Sequence, residues 1–108
     1  MGRWPDSTEF EWDEGNRDKN RKKHGVSDSE SEQVFFNRPF ITDSDEPHSE
    51  DEHRYYALGW TNAGRRLFIS YTIRGESVRI ISARDMTSAE RKEYEHAKAE
   101  ESETDSGV

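Results

Sequence analysis

The apolar residues of this chain are crowded into its middle. Between Val34 and Ala83 they fall in short, alternating runs separated by turn-forming residues, and outside that window the chain is mostly polar. Runs of this length with β-branched and aromatic residues predict strands. They are expected at Phe40 to Thr42, Arg54 to Trp60, Leu67 to Ile73 and Val78 to Ala83. The connectors Thr61-Asn62-Ala63-Gly64 and Arg74-Gly75-Glu76-Ser77 are turns by their chemistry. Short connections of this kind join antiparallel neighbours. At 29% hydrophobic and 37% charged residues the chain sits near the compositional edge of disorder. The crowding is what argues instead for one small folded sheet with polar ends.

The flanks predict helices. Phe10-Glu11-Trp12 reads as a short strand, and Asp13 then stands where a cap for a helix over Glu14 to His24 is wanted. Gly25 suits the left-handed end of that helix, whose last turn holds Arg21, Lys22 and Lys23. Ser27 and Glu30 form a capping box for a second helix through Val34, Phe35 and Phe36, ended by Asn37-Arg38-Pro39. Thr87 and Glu90 form another, opening a helix to about Ala99. Residues 1–9 read as a flexible tail and 101–108 as a disordered acidic one, which leaves residues 10–100 as a single domain. The expected class is α+β: a small antiparallel sheet packed against two N-terminal helices and a C-terminal helix.

Charge is strongly segmented. The net charge is −8, yet residues 16–24 carry five basic side chains against Asp18, and residues 53–84 carry six arginines against Glu76. Acidic stretches surround both blocks, the densest being the 43–52 loop. Local potential rather than net charge decides what a surface attracts. Either the blocks form a cationic cleft, or the surrounding acids pair with the arginines. The absence of cysteine removes disulfides and thiolate chemistry. The four histidines, at 24, 48, 53 and 96, lack zinc spacing, and the loop from Asp43 fails the calcium-loop pattern at His48 and Arg54. No cofactor or metal is therefore expected. No run approaches the roughly 20 apolar residues of a membrane span, and MGRWPDSTE lacks the apolar core of a secretory signal, so a cytoplasmic location with no membrane partner is expected.

Four stretches, in order and at matching spacing, resemble one family. They are FEWDEGNRDKNRKKHGVS at residues 10–27, VFFNRPF at 34–40, EHRYYALGW at 52–60 and ISYTIRGESVRIISARDMTSAERKEYE at 69–95. Together they resemble the BrnT toxins, from which the chain departs in its acidity and in carrying His53 and Trp60. The resemblance implies a RelE-like fold, sequence-tolerant RNA cleavage, and a BrnA-like ribbon-helix-helix antitoxin through which DNA would be met only indirectly.

Cleaving RNA without metal requires a base for the 2′-hydroxyl, an acid for the 5′-oxygen and cations for the phosphate. Arginine suits the last role because its fork matches phosphate oxygens. Candidates are Arg54, Arg74, Arg79 and Arg84. Arg79 and Arg84 are five apart, so an unbroken strand sends them to opposite faces unless a bulge intervenes. His24, beside Lys23, is the acid–base candidate, with a helix-end role as the alternative. Glu52 could orient Arg54 or act as base. Tyr71 could stack on a base or bond a phosphate, or could be a core aromatic. Tyr55, Tyr56 and Trp60 beside Arg54 resemble a platform for unpaired bases, with core packing the alternative for at least one. The expected product end is a 2′,3′-cyclic phosphate. Rival functions are a non-catalytic module that partners an antitoxin in operon autoregulation, and an RNA-binding protein that does not cut.

Overall fold

The computed structural model describes residues 8–49 and 52–106. In chain order the elements are β1 (Glu9–Phe10), α1 (Lys19–His24), α2 (Asp28–Val34), β2 (Ile41–Ser44), one 3₁₀ turn (Glu46–His48), β3 (Arg54–Trp60), β4 (Arg66–Arg74), β5 (Ser77–Asp85) and α3 (Ser88–Ser106). The class is α+β, with a five-stranded sheet in the order β1-β5-β4-β3-β2. Strands β2 to β5 form the expected antiparallel meander. The sheet is nevertheless mixed rather than purely antiparallel, because β1 lies parallel to β5 at its edge, Phe10 opposite Val78.

Two helix boundaries differ from the sequence expectation. The first helix begins at Lys19 rather than Glu14. Residues 13 to 18 turn back on themselves, with the Asp13 carbonyl accepting from the amides of Asn16 (3.1 Å) and Arg17 (2.7 Å). Asn16 is buried and spent elsewhere: its amide nitrogen donates to the carbonyls of Glu11 (2.9 Å) and Ile80 (3.0 Å). Asp13 therefore caps no helix. The third helix runs to Ser106, past the expected end near Ala99. Residues 1–7, most of the proposed N-terminal tail, lie outside the described residues, as do 107 and 108. Other signals hold: Gly25 takes the left-handed conformation at φ 68°, and both capping boxes form.

One face of the sheet carries the main core. Val34 and Phe35, at the end of α2, pack with Ile69, Tyr71 and Ile80. Phe35 is central, its ring centroid 5.3 Å from Phe10, 5.1 Å from Phe40 and 5.1 Å from Tyr71. Each such fully buried side chain contributes on the order of 1.5–3 kcal/mol. Gly59 lets α2 come close, since a Cβ there would stand 2.6 Å from Val34 Cγ1. The opposite face is apolar only where α3 crosses it, at Leu58, Met86 and Tyr94.

A bulge in β5 decides what the rest of that second face carries. Tyr71 stands opposite Ile80, but Ser70 stands opposite Ser82, so Ile81 is an extra residue. An extra residue flips the side-chain alternation beyond it. Arg79 pairs with Thr72 and Arg84 with Phe68. Directly opposed residues share a face, and Phe68 and Thr72 share one by their even spacing. Arg79 and Arg84 thus point the same way in spite of their odd spacing.

Candidate functional site

The second face has two ends. At one, α3 lies over the strands. Arg84 sits 4.1 Å above the Phe68 ring, and Tyr56 stacks on the same ring at 5.8 Å and 7°. Glu90 grips the Arg84 guanidinium in a two-pronged pair of 2.8 and 3.0 Å. The same carboxylate caps α3 by accepting from the Thr87 amide at 2.9 Å. Bonding to Arg84 holds the Glu90 carboxyl below its ordinary range. Burial, with Glu93 nearby, pushes the Tyr56 hydroxyl up, so it stays protonated.

At the other end the face is open. Arg54 is opposite Thr72, and Thr72 is opposite Arg79. The three form one row across β3, β4 and β5, with the outer two backbones about 10 Å apart at the usual strand spacing. Arg74, two residues beyond Thr72, shares the face. Glu52 binds Arg74 through both oxygens at 2.8 and 2.9 Å. Glu11 Oε1 accepts from Arg74 at 3.0 Å and from Arg79 at 2.9 Å. Asp13 takes Arg79 in a fork of 2.9 and 3.0 Å. Those bonds hold the carboxyls of Asp13, through Arg79, and of Glu52, through Arg74, below the ordinary value. Among the described residues the Arg54 guanidinium has no such partner.

The pairing alternative is therefore what the structure has, for five of the six arginines in the 53–84 block. Besides those just named, Arg65 pairs with Asp85 and Arg66 with Glu95. All the partner acids come from outside the block, which a count by segment could not reveal.

The expected site residues divide into separate places. Arg54, Arg74, Arg79 and Glu52 come together at the open end. His24 does not join them. It is half-buried at the end of α1, where Arg65 donates to the carbonyls of His24 (3.3 Å) and Gly25 (2.7 Å) and to Asp85 (2.7 and 3.1 Å). Asp85 is kept low chiefly by Arg65, with smaller help from Arg91 and His24. This places His24 by the Asp85 end of β5, about 17 Å from the Arg79 position at five register steps. Lys23 is exposed beside it. Arg65, which sequence reasoning passed over, is the side chain that ties off the helix.

The aromatic expectations need correction. Tyr71 is only 3% exposed, so it is a core ring and no base can stack on it; its hydroxyl meets Thr42 Oγ1 at 2.7 Å. Tyr55 stacks on Tyr71 at 5.3 Å and 21°, on the core face, whereas Trp60 lies on the other face with Lys98 5.2 Å from its ring. Strand alternation separates residues five apart, so Tyr55, Tyr56 and Trp60 form no single platform. Trp60 is also fastened, its indole N–H donating to the Arg38 carbonyl at 2.9 Å.

An arginine-lined face on a small α+β sheet suits a polyanion, and comparison with known families identifies which group of proteins builds one here. Residues 12–90 match the model of the BrnT ribonuclease toxins of type II toxin–antitoxin systems. The chain belongs to that family. A search of curated proteins found no match. BrnT membership makes the chain the ribonuclease toxin of a type II pair, with RNA as its substrate and an antitoxin as its partner. It favours the ribonuclease over the non-catalytic alternative. The matched BrnT region holds α1, α2 and the whole meander, together with the Arg84 and Glu90 pair. No helix among the described residues is long and apolar enough to cross a membrane.

Proposed function

We propose that the chain cuts RNA without a metal, at the open end of the second face, leaving a 2′,3′-cyclic phosphate and a 5′-hydroxyl. In this reaction the 2′-oxygen attacks the adjacent phosphorus and the P–O5′ bond breaks. The 2′-hydroxyl gives up its proton to a base, and the 5′-oxygen takes one from solvent water as it leaves. The protein's task is to steady the added negative charge on phosphorus, which fixed guanidinium groups do well.

The observation that carries the reading is the row of Arg54, Thr72 and Arg79 with Arg74 beside it. Arg54 is the first anchor because its guanidinium pairs with no carboxylate among the described residues. Arg79 and Arg74 close on the phosphate from the neighbouring strands. Glu52 is the base. Its bond to Arg74 makes it a poor proton acceptor in the free protein, and a phosphate that draws Arg74 away restores its basicity. Arg84 supports the far end of the bound strand, next to the Phe68 and Tyr56 rings. His24 and Lys23 serve the α1 terminus and its surroundings rather than the reacting phosphate. A RelE-like fold, a BrnA-like ribbon-helix-helix antitoxin and a cytoplasmic site of action complete the reading.

The test is cleavage of a single-stranded RNA by the purified chain in excess chelator, with the new ends mapped chemically. Arg54→Ala should slow cleavage by about 10- to 1,000-fold, the range for removing one charge-stabilising donor. Arg54 is half-buried and has no ion pair among the described residues, so folding stability should move by no more than about 1 kcal/mol. Cleavage that stops in chelator, or ends carrying a 3′-hydroxyl, would overturn the mechanism.

A further inference from the structure

The geometry points to Glu11 and Asp13 as built-in competitors of the substrate phosphate: they occupy Arg79, and Glu11 also occupies Arg74, so that RNA enters this site by displacing carboxylates. The inference rests on the ribonuclease reading of the same face and adds a control that the reading does not contain.

Five groups form one chain of charge. Glu52 holds Arg74 in a fork, Glu11 Oε1 bridges Arg74 and Arg79, and Asp13 holds Arg79 in a second fork. A carboxylate meets a guanidinium with the same paired-oxygen geometry that a phosphate uses. The Nη1–Nη2 edge of Arg79, one of the two edges that could take a phosphodiester, is therefore already filled by side chains of the N-terminal segment. With Arg54 included, three guanidinium groups face three carboxylates among the described residues, and the carboxylates offset the row's attraction for a polyanion until one leaves.

The ordinary alternative is that these acids fasten β1 to the sheet. Other bonds already do so. The Glu11 amide donates to the Val78 carbonyl at 2.8 Å, and the Asn16 side chain ties the Glu11 carbonyl to that of Ile80. Phe10 and Trp12 are packed into the core on the other face. The carboxylates are also the loose half of the network. Side-chain exposure is 36% for Glu11 and 55% for Asp13, against 14% for Arg79. Exposed pairs open at little cost, whereas Arg79 is held where it is. Even Gly15 is shaped to this contact, since a Cβ there would meet Arg79 Nη2 at 2.9 Å.

The experiment uses isosteric, uncharged replacements: Glu11→Gln, Asp13→Asn and the two together. Binding is read with a fluorescent single-stranded RNA carrying 2′-O-methyl groups throughout, which lack the nucleophile and stay intact, across a salt series. Cleavage of unmodified RNA and the melting midpoint are followed in parallel. The double variant should bind about three- to tenfold more tightly at low salt. Its plot of log affinity against log salt should steepen by about 0.7 for each arginine freed to a phosphate. In an Arg79→Gln background the gain should shrink towards nothing. Should the double variant fail to fold, the exposed Asp13→Asn alone carries the same prediction. If the wild-type chain cuts RNA but the variants bind no more tightly, or only melt lower, the competitor role is overturned and the ribonuclease reading stands. If the variants bind more tightly while no form cuts, the competitor role stands and the cleavage reading falls. If no form binds RNA at all, both fall.

Discussion

The two faces of the sheet are built from the same five strands and share almost nothing else. On the face packed by Val34 and Phe35, rings and branched side chains close on one another, and the one buried hydroxyl of note, on Tyr71, is satisfied by Thr42. On the other, apolar packing is confined to the strip beneath α3, and the rest of the face carries arginines, most of them paired with acids brought from elsewhere in the chain. A chain with so few apolar residues concentrates them on one side and leaves the other free to carry charge. Stability should therefore reside in the first face and RNA chemistry in the second, and substitutions should separate the two.

The sharpest separation should come from Phe35→Ala. The ring is 1% exposed and touches three other aromatic rings. Removing a buried Phe costs about 3–5 kcal/mol, a large part of the 5–15 kcal/mol that holds a typical domain together. A urea or thermal midpoint will read it, and cleavage should fail only because the chain unfolds. A loss under about 0.5 kcal/mol, the level of surface substitutions, would break the division between the faces. Gly59→Ala comes next. The new methyl would meet Val34 Cγ1 at 2.6 Å, and overpacking of this kind costs about 1–3 kcal/mol. Adding Val34→Ala should return part of the loss in a double-mutant comparison; no return would mean that the strain lies elsewhere.

Glu90→Gln probes the boundary between the faces, because that carboxylate both caps α3 and holds Arg84. The expected loss is about 1.5 kcal/mol for a partly buried charged bond. Its pH dependence has a definite sign. The folded protein holds the Glu90 carboxyl below its unfolded value, so the pair stabilises fully above about pH 4.3, and the contribution is lost as pH falls through the lower folded value. The gap between wild type and variant should therefore narrow on acidification from pH 7 to pH 3. A gap that stays constant would show that the cap, not the charge, is what matters.

Much of this was legible in the chain itself. The meander followed from β-rich runs and short turns, and both capping boxes from their Ser27 with Glu30 and Thr87 with Glu90 spacings. What escaped was set by contacts distant in sequence. The Asn16 side chain bonds Ile80, sixty-four residues away, and that bond, not propensity, fixes where the first helix starts. The bulge at Ile81 reverses the face of Arg84, and nothing local in RIISAR announces an extra residue. The arginine block looked cationic because its seven acidic partners, from Glu11 to Glu95, lie outside it. Of the proposed site, the arginines and Glu52 stand out by residue type. That Tyr71 is closed off in the core, and that His24 lies at the other end of β5, needed the fold.

The smallest expected effect is also the cleanest test of that exclusion. Tyr71→Phe removes one hydroxyl from the core face. Thr42 donates its own proton to the Tyr56 carbonyl at 2.8 Å, so the Tyr71 hydroxyl is the donor in their shared bond, and Thr42 loses only an accepted bond. Burial already keeps the Tyr71 hydroxyl protonated by pushing its pKa up. Stability should fall by about 1 kcal/mol or less, the net worth of a neutral hydrogen bond. The rate of RNA cleavage should not change, because ring and hydroxyl are both out of the substrate's reach. An RNA affinity that fell several-fold at unchanged stability would mean that the core face opens to RNA, and the two-face division would have to be redrawn around Tyr71 and the Tyr55 ring stacked on it.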